Sequence, residues 1–127
     1  MLRYHTQMAF EHSLALRVVR KHRDGVTVQF PLESAFLNTN GVLHGGVIAS
    51  IADEAAWHAL IHAHQAHRNM TTTELKVNYL RPMAGDKVLA RAYVLRAGKT
   101  LGVTRVDLFD AHRRLSAVAV VTYMLLS

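Results

Sequence analysis

Cysteine is absent from all 127 residues. Disulfides and thiolate-held metals are thereby excluded, and a reducing compartment is compatible with the composition. Proline occurs only twice, and no linker, internal repeat or low-complexity segment interrupts the chain. No apolar run reaches the roughly 18 residues of a membrane span. The opening residues 1–7 lack the apolar core of a signal peptide, so a cytoplasmic protein with no membrane partner is expected. Acidic residues are few, 9 against 15 Lys and Arg, which leaves a net charge of +6 with nine histidines in reserve. Such a balance favours an anionic partner. The basic residues are thinly spread, and the densest run, Arg20-Lys21-His22-Arg23, reads as a solvated strand end and turn. No recognised module accompanies the charge, so nucleic acid is not the expected partner. A phosphorylated compound such as coenzyme A is the alternative.

What is present is apolar. Half of the residues are hydrophobic, which excludes a disordered chain. The length fits one domain, 1–127. A domain of this size needs a compact fold or a partner.

One stretch organises the rest. Asn38-Thr39-Asn40-Gly41 leads into His44-Gly45-Gly46, and a helix is predicted at once, from about His44 to His64. Val47, Ile48, Ile51, Ala52, Ala55, Ala59 and Leu60 recur at spacings of three and four. At about 1.5 Å per residue the helix spans roughly 30 Å, the width of the domain. Its alanines make it thin enough to lie close on a sheet. Two glycines at its start leave backbone N–H groups uncovered for negative charge. Asp53 interrupts the apolar face, where a carboxylate is costly unless paired or used.

Strands are predicted on both sides of the helix. Leu14–Val19 and Val26–Leu32 form a hairpin through Arg23-Asp24-Gly25. Residues 71–80, 87–97, 101–110 and 115–126 follow the helix, and their three short connections predict three hairpins, an antiparallel meander. A short helix is weakly indicated over residues 5–13. The layout is α+β, one central helix on a single antiparallel sheet of about six strands. Open sheet edges and the apolar last strand, Val118-Ala119-Val120-Val121, lead us to expect self-association.

The pattern Asn38-x5-His44-Gly45-Gly46-x6-Asp53, with Asn78-Tyr79-Leu80-Arg81-Pro82, Gly98-Lys99-Thr100-Leu101 and Val106-Asp107-Leu108, resembles the hotdog-fold acyl-CoA thioesterases, in particular the PaaI-like (phenylacetyl-CoA thioesterase) branch. The resemblance covers about residues 14–125. It implies a hotdog fold and hydrolysis of an acyl-CoA to a free acid and coenzyme A, without cofactor or metal. It implies that the Gly45 N–H meets the thioester oxygen, where developing negative charge needs preorganised donors. Asp53 matches the family's catalytic carboxylate, as general base or as nucleophile. Asn38 matches a loop asparagine that holds the thioester or nucleophile, His44 a residue on the carbonyl side of the site, and Thr72 a hydroxyl that orients water. Thr71 and Thr73 flank Thr72, so the register is open. The resemblance further implies a homodimer whose sites lie between subunits, often paired into a homotetramer.

Gly46 belongs to the expected substrate contacts. Arg81, Arg96 and Lys99 are candidates for the phosphates of coenzyme A because they fall at strand ends and turns. Phe36, Leu37, Trp57 and Tyr79 either line the acyl pocket or pack the core. Glu54, His58 and His62 share one helix face at i, i+4 and i+8, yet no metal-binding motif completes them. Two rivals remain on sequence alone. One is a non-catalytic acyl-CoA-binding module, against which Asp53 argues. The other is a hotdog hydratase or dehydratase, whose acid–base setting is absent.

Overall fold

The computed structural model describes residues 15–126. The helix weakly indicated at 5–13 and the predicted strand start at Leu14 lie outside that range. Six strands and one long helix follow in order: β1 (Arg17–His22), β2 (Gly25–Pro31), a 3-10 turn (Ser34–Phe36), α1 (Gly45–His64), β3 (Met70–Tyr79), β4 (Lys87–Ala97), β5 (Leu101–Phe109) and β6 (Leu115–Leu125). All strand pairs are antiparallel, in the spatial order β1-β2-β4-β5-β6-β3. The α+β layout expected from the sequence is what the chain adopts.

The first hairpin is tighter than expected. His22 pairs directly with Gly25, so only Arg23 and Asp24 form the turn. Gly25 is needed there as a strand residue: a Cβ would lie 1.9 Å from the Ala92 carbonyl oxygen of β4. Arg91 of β4 donates to the Asp24 carboxylate, and this bond holds the Asp24 pKa below its ordinary value.

The meander is corrected. β3 and β4 are consecutive in sequence but do not pair; β4 lies between β2 and β5, and β3 crosses to the far edge beside β6. Residues 80–86 therefore form a crossover, not a hairpin turn. Two backbone bonds fasten its start, from the Leu80 and Arg81 N–H groups to the Ser116 carbonyl. Met83 plugs into the core at 0% exposure, and its carbonyl accepts from the Leu43 N–H just before the helix.

β6 is interior, flanked by β5 and β3, and the open edges are β1 and β3. Most of β3 is solvent-exposed along its ten residues.

The core is the layer between helix and sheet. Ile51, Ala52, Ala55, Ala56, Ala59 and Leu60 of α1 are fully buried. They face a sheet surface that includes Ala90, Ala92, Ala117 and Ala119, also buried. Small residues on both sides let the helix lie close. Bulkier Phe30, Val106, Leu108 and Val121 fill the space around them. Gly102 belongs to the same design, since a Cβ there would stand 2.8 Å from the Leu60 methyls. At the β5–β6 turn the buried Asp110 carboxylate accepts from the His112 and Arg114 backbone N–H groups and from the Arg114 guanidinium. The Arg114 backbone bond outweighs burial and holds its pKa below the ordinary value.

Because Met83 anchors the crossover, Met83→Ala is expected to lower stability by about 2–5 kcal/mol in urea denaturation, the usual loss for a buried methionine. A loss under about 0.5 kcal/mol, the range of surface substitutions, would show that the crossover is not held this way.

Candidate active site

The helix start is built by the residues before it. Leu37 and Leu43 form a bridge, and the His44 N–H donates to the Phe36 carbonyl. Asn38 shapes the tip of this loop. Its side-chain oxygen accepts from the Asn40 and Val42 N–H groups, at 2.9 and 3.2 Å, as asparagine does in turns. That oxygen is thus committed to the loop. Among the described residues no hydrogen bond links Asn38 to Gly45 or Asp53.

His44 is the N-cap of α1, and its Nδ1 accepts from the Gly46 N–H at 3.1 Å. With Nδ1 as acceptor, the neutral ring carries its proton on Nε2. The cap consumes the Gly46 N–H. The Gly45 N–H, at the first helical position, has no partner among the described residues. It is one of the donors that a helix start leaves over, with the positive end of the helix dipole behind it.

Why glycine stands at 45 can be read from its surroundings. A Cβ there would touch the Tyr79 ring at 3.5 Å, an ordinary contact, and one at Gly46 would lie 3.4 Å from His44 Nδ1. Neither glycine has a positive φ. Packing within the chain does not demand glycine at 45. Gly45 instead borders an open cleft of about 380 Å³, lined also by Val42, Ile48, Tyr79, Arg81 and Met83 among others. Tyr79 closes one side, its phenol donating to the Gly45 carbonyl at 2.7 Å.

Asp53 lies eight residues further along the same helix, about 12 Å of rise. It is half-buried. Thr72 Oγ1 donates to Asp53 Oδ1 at 2.7 Å, and the Tyr123 phenol donates to the same oxygen at 2.9 Å. The structure thus separates the three consecutive threonines: Thr72 meets Asp53, whereas Thr73 donates to the Thr122 carbonyl. The reason is a β-bulge. β3 and β6 pair as Thr72 with Tyr123 and then Glu74 with Thr122, so Thr73 is the extra residue. In a regular strand Thr72 and Tyr79, seven apart, would face opposite sides of the sheet. The bulge inverts the alternation, and both face the helix.

The remaining expected residues are dispersed. Arg81 borders the cleft beside Gly45. Arg96 and Lys99 sit in and beside the exposed β4–β5 turn, where Gly102 packs on Leu60 near the helix C-terminus. They are a helix length from Arg81 within one chain. Phe36, Leu37 and Trp57 pack against the core, and only Tyr79 of that group lines the cleft. Glu54 and the histidines do not converge. His62 Nε2 bonds the His22 carbonyl at 2.8 Å, and His58 packs edge-on to Trp57, where burial pushes its pKa below the ordinary value. Among the described residues no three His, Asp or Glu side chains are grouped to hold a metal.

Sequence reasoning missed Tyr123. Its signal was faint: a lone phenol in the apolar final strand, at a position of inward phase, that requires a buried polar partner.

The family model for the thioesterase superfamily matches residues 40–117, which span the capped helix, Asp53, Thr72 and the crossover. The chain belongs to the thioesterase superfamily. As a member it is a thioester hydrolase of the hotdog fold. It is similar to the medium/long-chain acyl-CoA thioesterase YigI of Escherichia coli, 31% identical in an alignment that covers 95% of this chain and 86% of YigI. Among solved structures it is similar to the conserved protein PA5202 of Pseudomonas aeruginosa, with a TM-score of 0.85 and 29% identity, covering 93% of this chain and 94% of that one. The E. coli PaaI protein from the phenylacetic acid degradation operon shares the fold, with a TM-score of 0.82 at 22% identity, covering 94% and 85% of the two chains. No described helix of this thioesterase is long and apolar enough to cross a membrane.

If glycine at 45 serves access and not packing, Gly45→Ala should melt no lower than the parent. A gain of up to about 1 kcal/mol is expected from the less flexible unfolded chain. A clear drop in Tm on thermal denaturation would return Gly45 to a packing role.

Proposed function

We propose that this thioesterase hydrolyses acyl-CoA, with Asp53 activating water and the Gly45 N–H holding the thioester oxygen. The observation that carries this reading is the pairing of a free N–H at the capped helix start with a carboxylate fixed by two hydroxyls on the same helix. Water gives a proton to Asp53 and adds to the thioester carbon. Negative charge gathers on the former carbonyl oxygen, facing the Gly45 N–H and the helix dipole. The carbon–sulfur bond then breaks, and coenzyme A leaves as its thiol with the proton returned. Similarity to a medium/long-chain acyl-CoA thioesterase supports an acyl-CoA substrate, as does the net charge of +6. The mostly apolar lining of the cleft suits a hydrocarbon acyl group, and Arg81 at its border suits a phosphate of coenzyme A.

The same reading needs a second copy of the chain. A single thioester carbon must approach both groups within about 3–3.5 Å, and about 12 Å of helix separates them. The open edge of β3 offers a solution. Antiparallel pairing of two β3 strands centred on Lys76 of each sets Tyr79 of one copy opposite Thr72 of the other, because the bulge takes Thr73 out of the alternation. Since Tyr79 touches Gly45 and Thr72 touches Asp53, each site then takes its N–H from one copy and its carboxylate from the other. The exposed side chains of Leu75 and Tyr79 are consistent with covering this edge. Asn38 and His44, on the loop and cap beside Gly45, contribute their Nδ2 and Nε2–H donors to the carbonyl side of the same site.

The test measures thiol release from a panel of aromatic and aliphatic acyl-CoAs by wild type, Asp53→Asn and Gly45→Pro. Proline is suited to the first helical position, and His44 already has the extended backbone, φ −63 and ψ 135, that precedes proline. Gly45→Pro therefore deletes the N–H with little other disturbance. Expected losses in kcat are about 10²–10⁴-fold for Asp53→Asn and about 10²–10³-fold for Gly45→Pro. Unchanged rates in either variant would remove that residue from the mechanism.

A further inference from the structure

The hydrogen bonds at Asp53 are lopsided. Thr72 and Tyr123 both donate to Oδ1, and two donors fill the lone pairs of one carboxylate oxygen. Among the described residues none donates to Oδ2. The two hydroxyls are fixed relative to each other, because Thr72 and Tyr123 are direct cross-strand partners in β3 and β6. Tyr123 is the more rigid of the two, only 4% exposed on an interior strand, whereas Thr72 is half-buried on the sheet edge. The Tyr123 oxygen also lies 3.0 Å from the main-chain carbonyl of Asp53. One phenol thus touches both the side chain and the backbone of the same residue, which restricts rotation of the carboxylate about its own Cα–Cβ bond. Burial, followed by the charge of Asp53, pushes the Tyr123 pKa well above its ordinary value, so the phenol stays protonated and acts as a donor.

We propose that Tyr123 is a positioning residue that, with Thr72, commits Asp53 Oδ1 to the fold and leaves Oδ2 as the oxygen that meets water. This rests on the assignment of Asp53 as the group that activates water. Tyr123 is sealed beneath the carboxylate and does not touch substrate; it acts through Asp53 alone. A carboxylate held in one rotamer presents Oδ2 in a constant direction, and a misplacement of about 1 Å at such a group is worth about 10²-fold in rate.

The experiment is a double-mutant cycle on acyl-CoA hydrolysis with wild type, Tyr123→Phe, Asp53→Asn and the double variant. Tyr123→Phe keeps the buried ring and removes only the donor. It is expected to lower kcat about 10- to 100-fold with KM changed less than about twofold. In the Asp53→Asn background it should cause no further loss, since the group it positions has gone. The same fold-loss in both backgrounds would show a merely structural role and overturn the inference, as would a kcat for Tyr123→Phe within about twofold of wild type. Thr72→Val removes the other donor to Oδ1 and gives the same cycle should the phenylalanine variant fold poorly. If Asp53→Asn itself matches wild type, the assignment of Asp53 falls and this inference falls with it. If Asp53→Asn is inactive while Tyr123→Phe is not impaired, only the inference falls.

Discussion

The close approach of one helix to one sheet is the constraint on which the rest depends. Four alanines of α1 and four of the sheet meet in the buried layer, and small side chains bring backbone near backbone. At that separation a phenol rooted in β6 reaches a helix carboxylate and its main-chain carbonyl, and a threonine, with a much shorter side chain, reaches the same carboxylate from β3. With larger residues in the layer, Asp53 would be a half-buried charge without partners, which is expensive. The core and the site therefore come from one packing arrangement.

The bulge at Thr73 is the second device. It lets a single strand serve two points on the helix, Thr72 at Asp53 and Tyr79 at the Gly45 carbonyl, which the alternation of a regular strand forbids. Bulges re-aim side chains near sites in this way. The crossover through Met83 is equally local in its effect. It sends β3 to the sheet edge and leaves β4 beside β2, while its backbone secures the residue before the helix cap.

Much of this was legible in the sequence. The helix follows from its three-and-four periodicity, and its start from His44-Gly45-Gly46. The strands followed from alternation and turns, within a few residues at their ends. Strand order was not legible, because the sequence signal for a short connection is the same whether the chain turns back or crosses over. Among the three threonines only the bulge selects Thr72, and bulges leave no mark in an alternating pattern of polar residues. Tyr123 escaped because a phenol in an apolar strand reads as core until its oxygen is seen to have a partner. Likewise the separation of Arg81 from Arg96 and Lys99 depends on which end of the sheet each turn occupies. The Asp53 motif was legible, but the division of labour between its two oxygens belongs to the folded chain.

The central claim is that Gly45 and Asp53 of one chain belong to different sites, each completed by a second copy. Mixed dimers of Gly45→Pro and Asp53→Asn, isolated through two different affinity tags, test it most directly. Each mixed dimer would hold one intact site and one doubly defective site, so about half of the wild-type activity should return although both parents are inactive. Mixed dimers that form and remain as inactive as their parents would contradict it.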